Sequence, residues 1–314
     1  MSAWVGRDLL TLAEVSATEI AELLATALAL KHRHIQANLS GRILGLLFRK
    51  ASTRTRVSFT AAMAQCGGTV IDLLPDVMQV SRGEPIEDTA RVLDRYVDVL
   101  AIRTFAQSEL ETFAHYARIP VINALTDQFH PCQALADLLT IQEHWGSLKG
   151  LTLTYCGDGN NVAHSLILAA ALTGMHMRVA TPPDFAPDPK VVTRAQALAA
   201  QFHTGAQIQI TSDPRAAAAG SQVLYTDVWA SMGQEAQAQD RYPKFVPYQL
   251  NQALVELADP QAIVLHCLPA HRGEEITAEV LEGSQSRVWD QAENRLHVQK
   301  ALIAHLLGGI PLRQ

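Results

Sequence analysis

The sequence has little of what marks a secreted, membrane-bound or nucleic-acid-binding protein. Only four cysteines occur in 314 residues, Cys66, Cys132, Cys156 and Cys267, and no two form a Cys-x-x-Cys pair. That scarcity excludes a disulfide framework and a zinc ribbon, and it fits reduced thiols. No apolar run reaches the roughly 18 residues that a membrane-spanning helix requires. The opening residues MSAWVGRDLL lack a basic segment followed by an apolar one, so no signal or transit peptide is expected and a cytoplasmic location is the default. Basic residues are outnumbered, 25 against 31 acidic ones, which leaves no overall footprint for nucleic acid or an anionic membrane. A Walker loop is missing too, since no Gly-x-x-x-x-Gly-Lys framework occurs. The stretch CGDGNNVAHS (156–165) falls short of a dinucleotide fingerprint: Val162 stands where the third glycine belongs, and the next predicted strand ends in Thr181, not an acid.

What the chain does have is apolar material, 48% of its residues, enough for about two domains at this length. Short apolar runs alternate with helical patterns. ILGLLF (43–48), TVIDLL (69–74), DVLAIR (98–103) and PVINAL (120–125) predict strands, with a helix over IEDTARVLDRYV (86–97). After a helical stretch over 133–145 and a break at GSLKG, the rhythm restarts with LTLTYCG (151–157), MRVAT (177–181), AQIQIT (206–211), QVLYTD (222–227) and AIVLHCL (262–268). This is the βαβ alternation of parallel sheets flanked by helices. The expected fold is α/β with two domains, 1–146 and 147–290, followed by a final helical segment, 291–314.

In a chain short of positive charge, LLFRKASTRTRVSF (46–59) concentrates four basic side chains and four hydroxyls. Ser52, Thr53, Arg54, Thr55 and Arg56 follow a strand and open a helix. Unpaired N–H groups at a helix N-terminus, joined by hydroxyl and guanidinium donors, make a seat for a phosphate. The plainer alternative is a helix cap beside solvated arginines. Further candidates stand at other strand ends: Arg103 closes DVLAIR, HPCQ (130–133) opens a helix, Asn160 and Asn161 open another, and HCLPAHRGEE (266–275) follows a strand. Singly, each has an ordinary explanation, with His130 as a cap, Cys267 as a small buried apolar residue and Arg103 as an ion-pair partner. Asp227, where QVLYT ends, is either a turn cap or an acid held ready for a cationic ligand.

FRKASTRTR, IRT, HPCQ, DVWASMG and HCLPAHRGEE, in this order and spacing, resemble the transcarbamylases, and within them the ornithine-specific branch. The resemblance runs from about Arg7 to the C-terminal helix. It implies the transcarbamylase fold of two α/β domains, a carbamoyl phosphate domain with the last helix packed back on it and an ornithine domain. It also implies transfer of a carbamoyl group from carbamoyl phosphate to the δ-amine of ornithine, in arginine biosynthesis or a urea-type pathway, without metal or organic cofactor. A homotrimer with shared sites follows from the same resemblance, with Gln79 supplied by a neighbour. The resemblance assigns Ser52, Thr53, Arg54, Thr55 and Gln79 to the phosphate, and Arg103, His130 and Thr55 to the carbonyl oxygen. Pro131, Cys132, Gln133, the Cys267–Leu268 backbone and Arg295 complete that substrate's set. Asn161, Asp227, Ser231 and Met232 would hold the amino acid, with Cys267 facing its δ-amine. Whether Cys267, the leaving phosphate or water takes the amine's proton stays open. So do two other functions: a related enzyme with aspartate or putrescine as acceptor, and a non-catalytic metabolite-binding protein.

Overall fold

The computed structural model describes residues 3–74, 78–230 and 238–310. The chain separates into two compact units, Met1–Leu139 with Glu293–Gln314, and Thr140–Ala292.

In the first unit, strands β1 (Ile43–Phe48), β2 (Thr69–Leu73), β3 (Val99–Arg103) and β4 (Val121–Leu125) form a parallel sheet in the order β2-β1-β3-β4. β3 and β4 are buried along their whole length and β1 nearly so, which is why they read as mainly apolar runs, with Arg103 and Asn123 as buried polar exceptions. β2 is an edge strand and has no buried residue. Helix α1 (Ala17–Lys31) starts at a capping box, in which Ser16 and Glu19 each accept the other's backbone N–H. Helices α2 (Thr53–Gln65), α3 (Ile86–Leu93) and α4 (Gln107–Tyr116) follow β1, β2 and β3. Leu47, Leu93, Leu100, Ile102, Leu110 and Phe113 belong to one buried cluster of this unit. The helix expected over 86–97 runs only to Leu93; Asp94 caps it, and the Asp94 carboxylate accepts the N–H groups of Arg118 and Ile119.

The second unit repeats the pattern. Helix α5 (Pro131–Trp145) crosses the division, and beyond it β5 (Thr152–Cys156), β6 (His176–Ala180), β7 (Ile208–Thr211), β8 (Val223–Thr226) and β9 (Ile263–His266) form a parallel sheet in the order β7-β6-β5-β8-β9. Helix α6 (Asn161–Thr173) is buried from Val162 to Leu172, and its sequence is accordingly apolar on all sides. The connections hold α7 (Pro189–Gln201), α8 (Pro214–Ala218), α9 (Ala238–Phe245), α10 (Gln252–Val255) and α11 (Ala278–Leu281). Helix α12 (Val288–Leu306) closes the chain, and from Glu293 onward it belongs to the first unit. No helix of the described residues is long and apolar enough to cross a membrane.

Each sheet reverses its strand order once, between β1 and β3 in the first unit and between β5 and β8 in the second. Ligands of open α/β sheets bind beyond the carboxyl ends of the strands at such a reversal. The segments leaving β1 and β3 are those of Ser52–Thr55 and Arg103. Those leaving β5 and β8 carry Asn160, Asn161 and Asp227.

Candidate active site

On the first unit, Ser52 caps α2, its Oγ accepting the Thr55 N–H at 3.2 Å. Three of the four basic residues in the opening stretch are engaged elsewhere. Arg49 pairs with Glu109 at 3.0 Å, Lys50 with Asp127, and Arg56 with Asp72. Arg54 remains exposed and pairs with no described acid.

Behind that helix start lies a buried polar chain. Arg295 on α12 donates to Thr55 Oγ1 at 3.0 Å and to Gln133 Oε1 at 2.6 Å, and Gln133 Nε2 donates to Asp137 Oδ1 at 2.8 Å. Thr55, Arg103, His130, Gln133 and Arg295 are all buried. Burial, with the charges of Arg295 and Arg103 beside it, holds the His130 imidazole well below its ordinary pKa. His130 is therefore neutral, and both guanidiniums keep their charge. Cys132 on the same segment is turned inward: its thiol donates to the Asn123 carbonyl at 3.4 Å, and burial pushes its pKa up to about 12. Gln79 is exposed in a short 3-10 turn, Gln79–Arg82, and among the described residues no hydrogen bond joins its side chain to another candidate.

On the second unit the centre is Asp227, 6% exposed. Its Oδ2 accepts from Asn160 Nδ2 at 2.8 Å, and its Oδ1 accepts from the Val228 N–H at 2.8 Å and from the Cys267 thiol at 2.9 Å. Asn160 Oδ1 meanwhile caps α6, accepting the N–H groups of Val162 and Ala163. Asn161 is the first residue of that helix and is half-buried. Close by, Asp158 pairs with Arg241 at 2.7 Å, and burial pushes the Asp158 pKa up against the lowering effect of that guanidinium. Ser231 and Met232 lie outside the described residues.

The glycines that suggested a nucleotide loop have another cause. A Cβ on Gly159 would sit 2.3 Å from Pro187 N and 2.6 Å from Phe185 O, so the loop packs backbone to backbone against 185–187. Among the described residues, two side-chain clusters have metal-ligating composition, Asp227–His266–Cys267 and His271–Glu274–Glu275. In the first, both imidazole nitrogens are engaged: Nδ1 accepts the Leu268 N–H at 2.8 Å and Nε2 faces Glu275 Oε1 at 3.0 Å. The ring has no lone pair left for an ion.

Residues 7–143 match the family model for the carbamoyl-P binding domain of aspartate/ornithine carbamoyltransferases, and residues 149–306 match that for the Asp/Orn binding domain. The chain belongs to the aspartate/ornithine carbamoyltransferase family. An ornithine carbamoyltransferase of Nostoc punctiforme is 65% identical over 308 residues, 98% of this chain and 99% of that protein. Among solved structures, the Gloeobacter violaceus ornithine carbamoyltransferase is 57% identical, with a TM-score of 0.86 over 97% of this chain and 99% of that one. The Pyrococcus furiosus enzyme is 49% identical, with a TM-score of 0.94 over 99% of this chain and 100% of that one.

Within this carbamoyltransferase family member, the anion-seeking cluster around Ser52–Thr55 falls in the segment matched to the carbamoyl-P domain. Asp227 and Cys267 fall in the segment matched to the Asp/Orn domain. Sequence reasoning missed several supporting groups. Asp137 stands four residues after Gln133, a spacing that puts both on one helix face and was available as a signal. The sequence marks Asn160 as a helix start, and its side chain both caps α6 and donates to Asp227. The pairing of His266 with Glu275 carried no signal beyond their shared segment.

Proposed function

We propose that the protein transfers the carbamoyl group of carbamoyl phosphate to the δ-amine of L-ornithine, giving L-citrulline and phosphate. The observation that carries this is the unit-two cluster: a buried carboxylate, Asp227, with an amide and a thiol on its oxygens. Ornithine brings an α-ammonium that needs an acid. An aspartate acceptor would need cations there, and putrescine would leave the carboxylate-binding donors without use. Full-length likeness to ornithine carbamoyltransferases supports the same choice.

The reaction makes sense of the residue types. As the amine nitrogen bonds to the carbonyl carbon, negative charge grows on the carbonyl oxygen, and when the C–O bond breaks it passes to the departing phosphate. Arg103, Thr55 and the neutral His130 N–H are assigned to the carbonyl oxygen. Ser52, Thr53, Arg54 and the amides of the α2 N-terminus take the phosphate. Fixed donors of this kind need no reorganisation as charge develops, which is where they exceed water. Arg295 holds Thr55 and Gln133 in place, with the Gln133 amide assigned to the carbamoyl group. The roles that the resemblance implies for Gln79, Pro131, Cys132, Cys267, Leu268, Asn161, Ser231 and Met232 belong to the same proposal.

The proposal extends to a cytoplasmic homotrimer. Bearing on it, Gln79 is exposed on the first unit and so is open to a neighbouring copy. Purified protein incubated with carbamoyl phosphate and, in turn, ornithine, putrescine and aspartate should form product rapidly with ornithine alone. Turnover with aspartate, or none with any amine, rejects the assignment.

A further inference from the structure

His266 and Glu275 have fully buried side chains and touch neither substrate in the roles given above. An imidazole with a buried carboxylate on one nitrogen is a fixed orienting device, and what lies on its other nitrogen shows what it orients. Nδ1 accepts the Leu268 backbone N–H at 2.8 Å. An amide can only donate, so Nδ1 is unprotonated and the ring proton sits on Nε2, which donates to Glu275 Oε1 at 3.0 Å. The same Oε1 accepts the His271 N–H at 2.6 Å, which ties the carboxylate to the chain on the far side of the loop. The backbone of His266 is pinned independently, its N–H donating to Gln291 Oε1 at 2.9 Å while Gln291 Nε2 donates to Tyr225 OH at 3.1 Å.

The residue held by Nδ1 is in a conformation that it would not adopt unaided. Leu268 has φ of +57°, the left-handed region that costs a residue with a Cβ free energy and persists only where its surroundings enforce it. Between the pinned His266 and this inverted Leu268 stands Cys267, whose thiol meets Asp227 Oδ1 at 2.9 Å.

We propose that Glu275 and His266 form a positioning pair: Glu275 fixes the Nε2–H tautomer of His266, whose Nδ1 then holds Leu268 in its left-handed conformation and so aims the Cys267 thiol and the Leu268 backbone. Whether those groups face substrate rests on the function proposed above. The arrangement of the loop does not.

The two can be tested apart. Cys66, Cys132 and Cys156 are buried and Cys267 alone is partly exposed, so iodoacetamide in the absence of substrate reads the Cys267 thiol. Glu275→Gln keeps an oxygen for Nε2–H and for the His271 amide. Its alkylation rate should stay within about threefold of the parent, and its kcat likewise. Glu275→Ala removes that acceptor and frees the ring to take the other tautomer, which cannot accept from Leu268. Alkylation should change at least about tenfold and kcat should fall about 10²-fold, the cost of a displaced reacting geometry. Affinity for inorganic phosphate, whose assigned donors lie on the first unit, should hold in both. If Glu275→Ala does not fold, His266→Asn and His266→Gln decide. Asn places an oxygen where Nδ1 stood and should retain at least tenfold more kcat and more parent-like alkylation than Gln, which reaches only toward Glu275. Equal alkylation and kcat across the folded Glu275 variants, or no difference between Asn and Gln at 266, overturns the positioning role. A parent enzyme that alkylates as expected but forms no citrulline instead removes the proposed function and leaves the pair standing.

Discussion

The Arg295 guanidinium donates to Gln133 Oε1 at 2.6 Å, joining residues 162 positions apart in one buried contact. The same guanidinium holds Thr55, so the start of α2, the start of α5 and the last helix meet on one cation.

Arg295→Met should therefore weaken the whole phosphate-side cluster. Two acceptors lose their charged donor, and kcat/KM for carbamoyl phosphate should drop about 10²–10³-fold. Arg295→Lys keeps the charge but not the two-pronged geometry, and it should recover only part of the loss. Steady-state kinetics over varied carbamoyl phosphate measures both, and a normal KM and kcat in Arg295→Met would contradict the assignment.

Asp137 acts one step further back, accepting from Gln133 Nε2. Asp137→Leu should leave that amide held through its oxygen alone, by Arg295, raising KM for carbamoyl phosphate while kcat changes little. Asp137→Asn, which still offers an oxygen, should restore most of the affinity. Equal kinetics in the two variants would show that the orientation of Gln133 is set by something else.

Asp227→Asn tests the acceptor side. The substituted amide faces the Asn160 Nδ2 donor and the Cys267 thiol where a carboxylate had accepted both. Losing one partner of a buried charged pair costs about 3–5 kcal/mol, so use of ornithine should collapse while calorimetry finds phosphate binding nearly intact. An unchanged ornithine dependence would make Asp227 structural.

His130 predicts a pH effect on stability. Its native pKa lies well below the ordinary 6.5, from burial first and then from Arg295 and Arg103. The unfolded chain takes up a proton at acid pH that the native state refuses. This contribution is therefore complete above about pH 6.5 and is lost as pH falls below it toward the depressed native value. Urea midpoints measured from about pH 7.5 down to about pH 5.5 should fall less in His130→Asn than in the parent. Parallel declines would mean that His130 titrates normally in the folded protein.

Assembly can be probed by complementation. If Gln79 serves a neighbour's site, mixing Arg103→Ala with Gln79→Ala chains should restore part of the activity in hybrid oligomers. No recovery despite demonstrated subunit exchange would argue against a shared site.

Most of what the sequence determined by itself was local. ILGLLF and VLAIR became strands because a doubly covered parallel sheet asks for near-continuous apolar runs, and Ser52 and Asn160 became caps because a helix start needs a side-chain acceptor within three residues. The placing of Asp227 and Arg103 at strand ends was legible for the same reason, since the end of a periodic run marks the sheet edge. Tertiary structure decided what depends on partners far away in the chain. It diverted Arg56 to Asp72 and left Arg54 exposed without a described acid beside it, a sorting that composition could not make. It kept His130 neutral through burial beside Arg295, and it gave Glu275 an orienting task by sealing it against His266. Charge state and hydrogen-bond direction are set by the dielectric and the neighbours at a point in space, and sequence spacing specifies neighbours only within a few residues along one element.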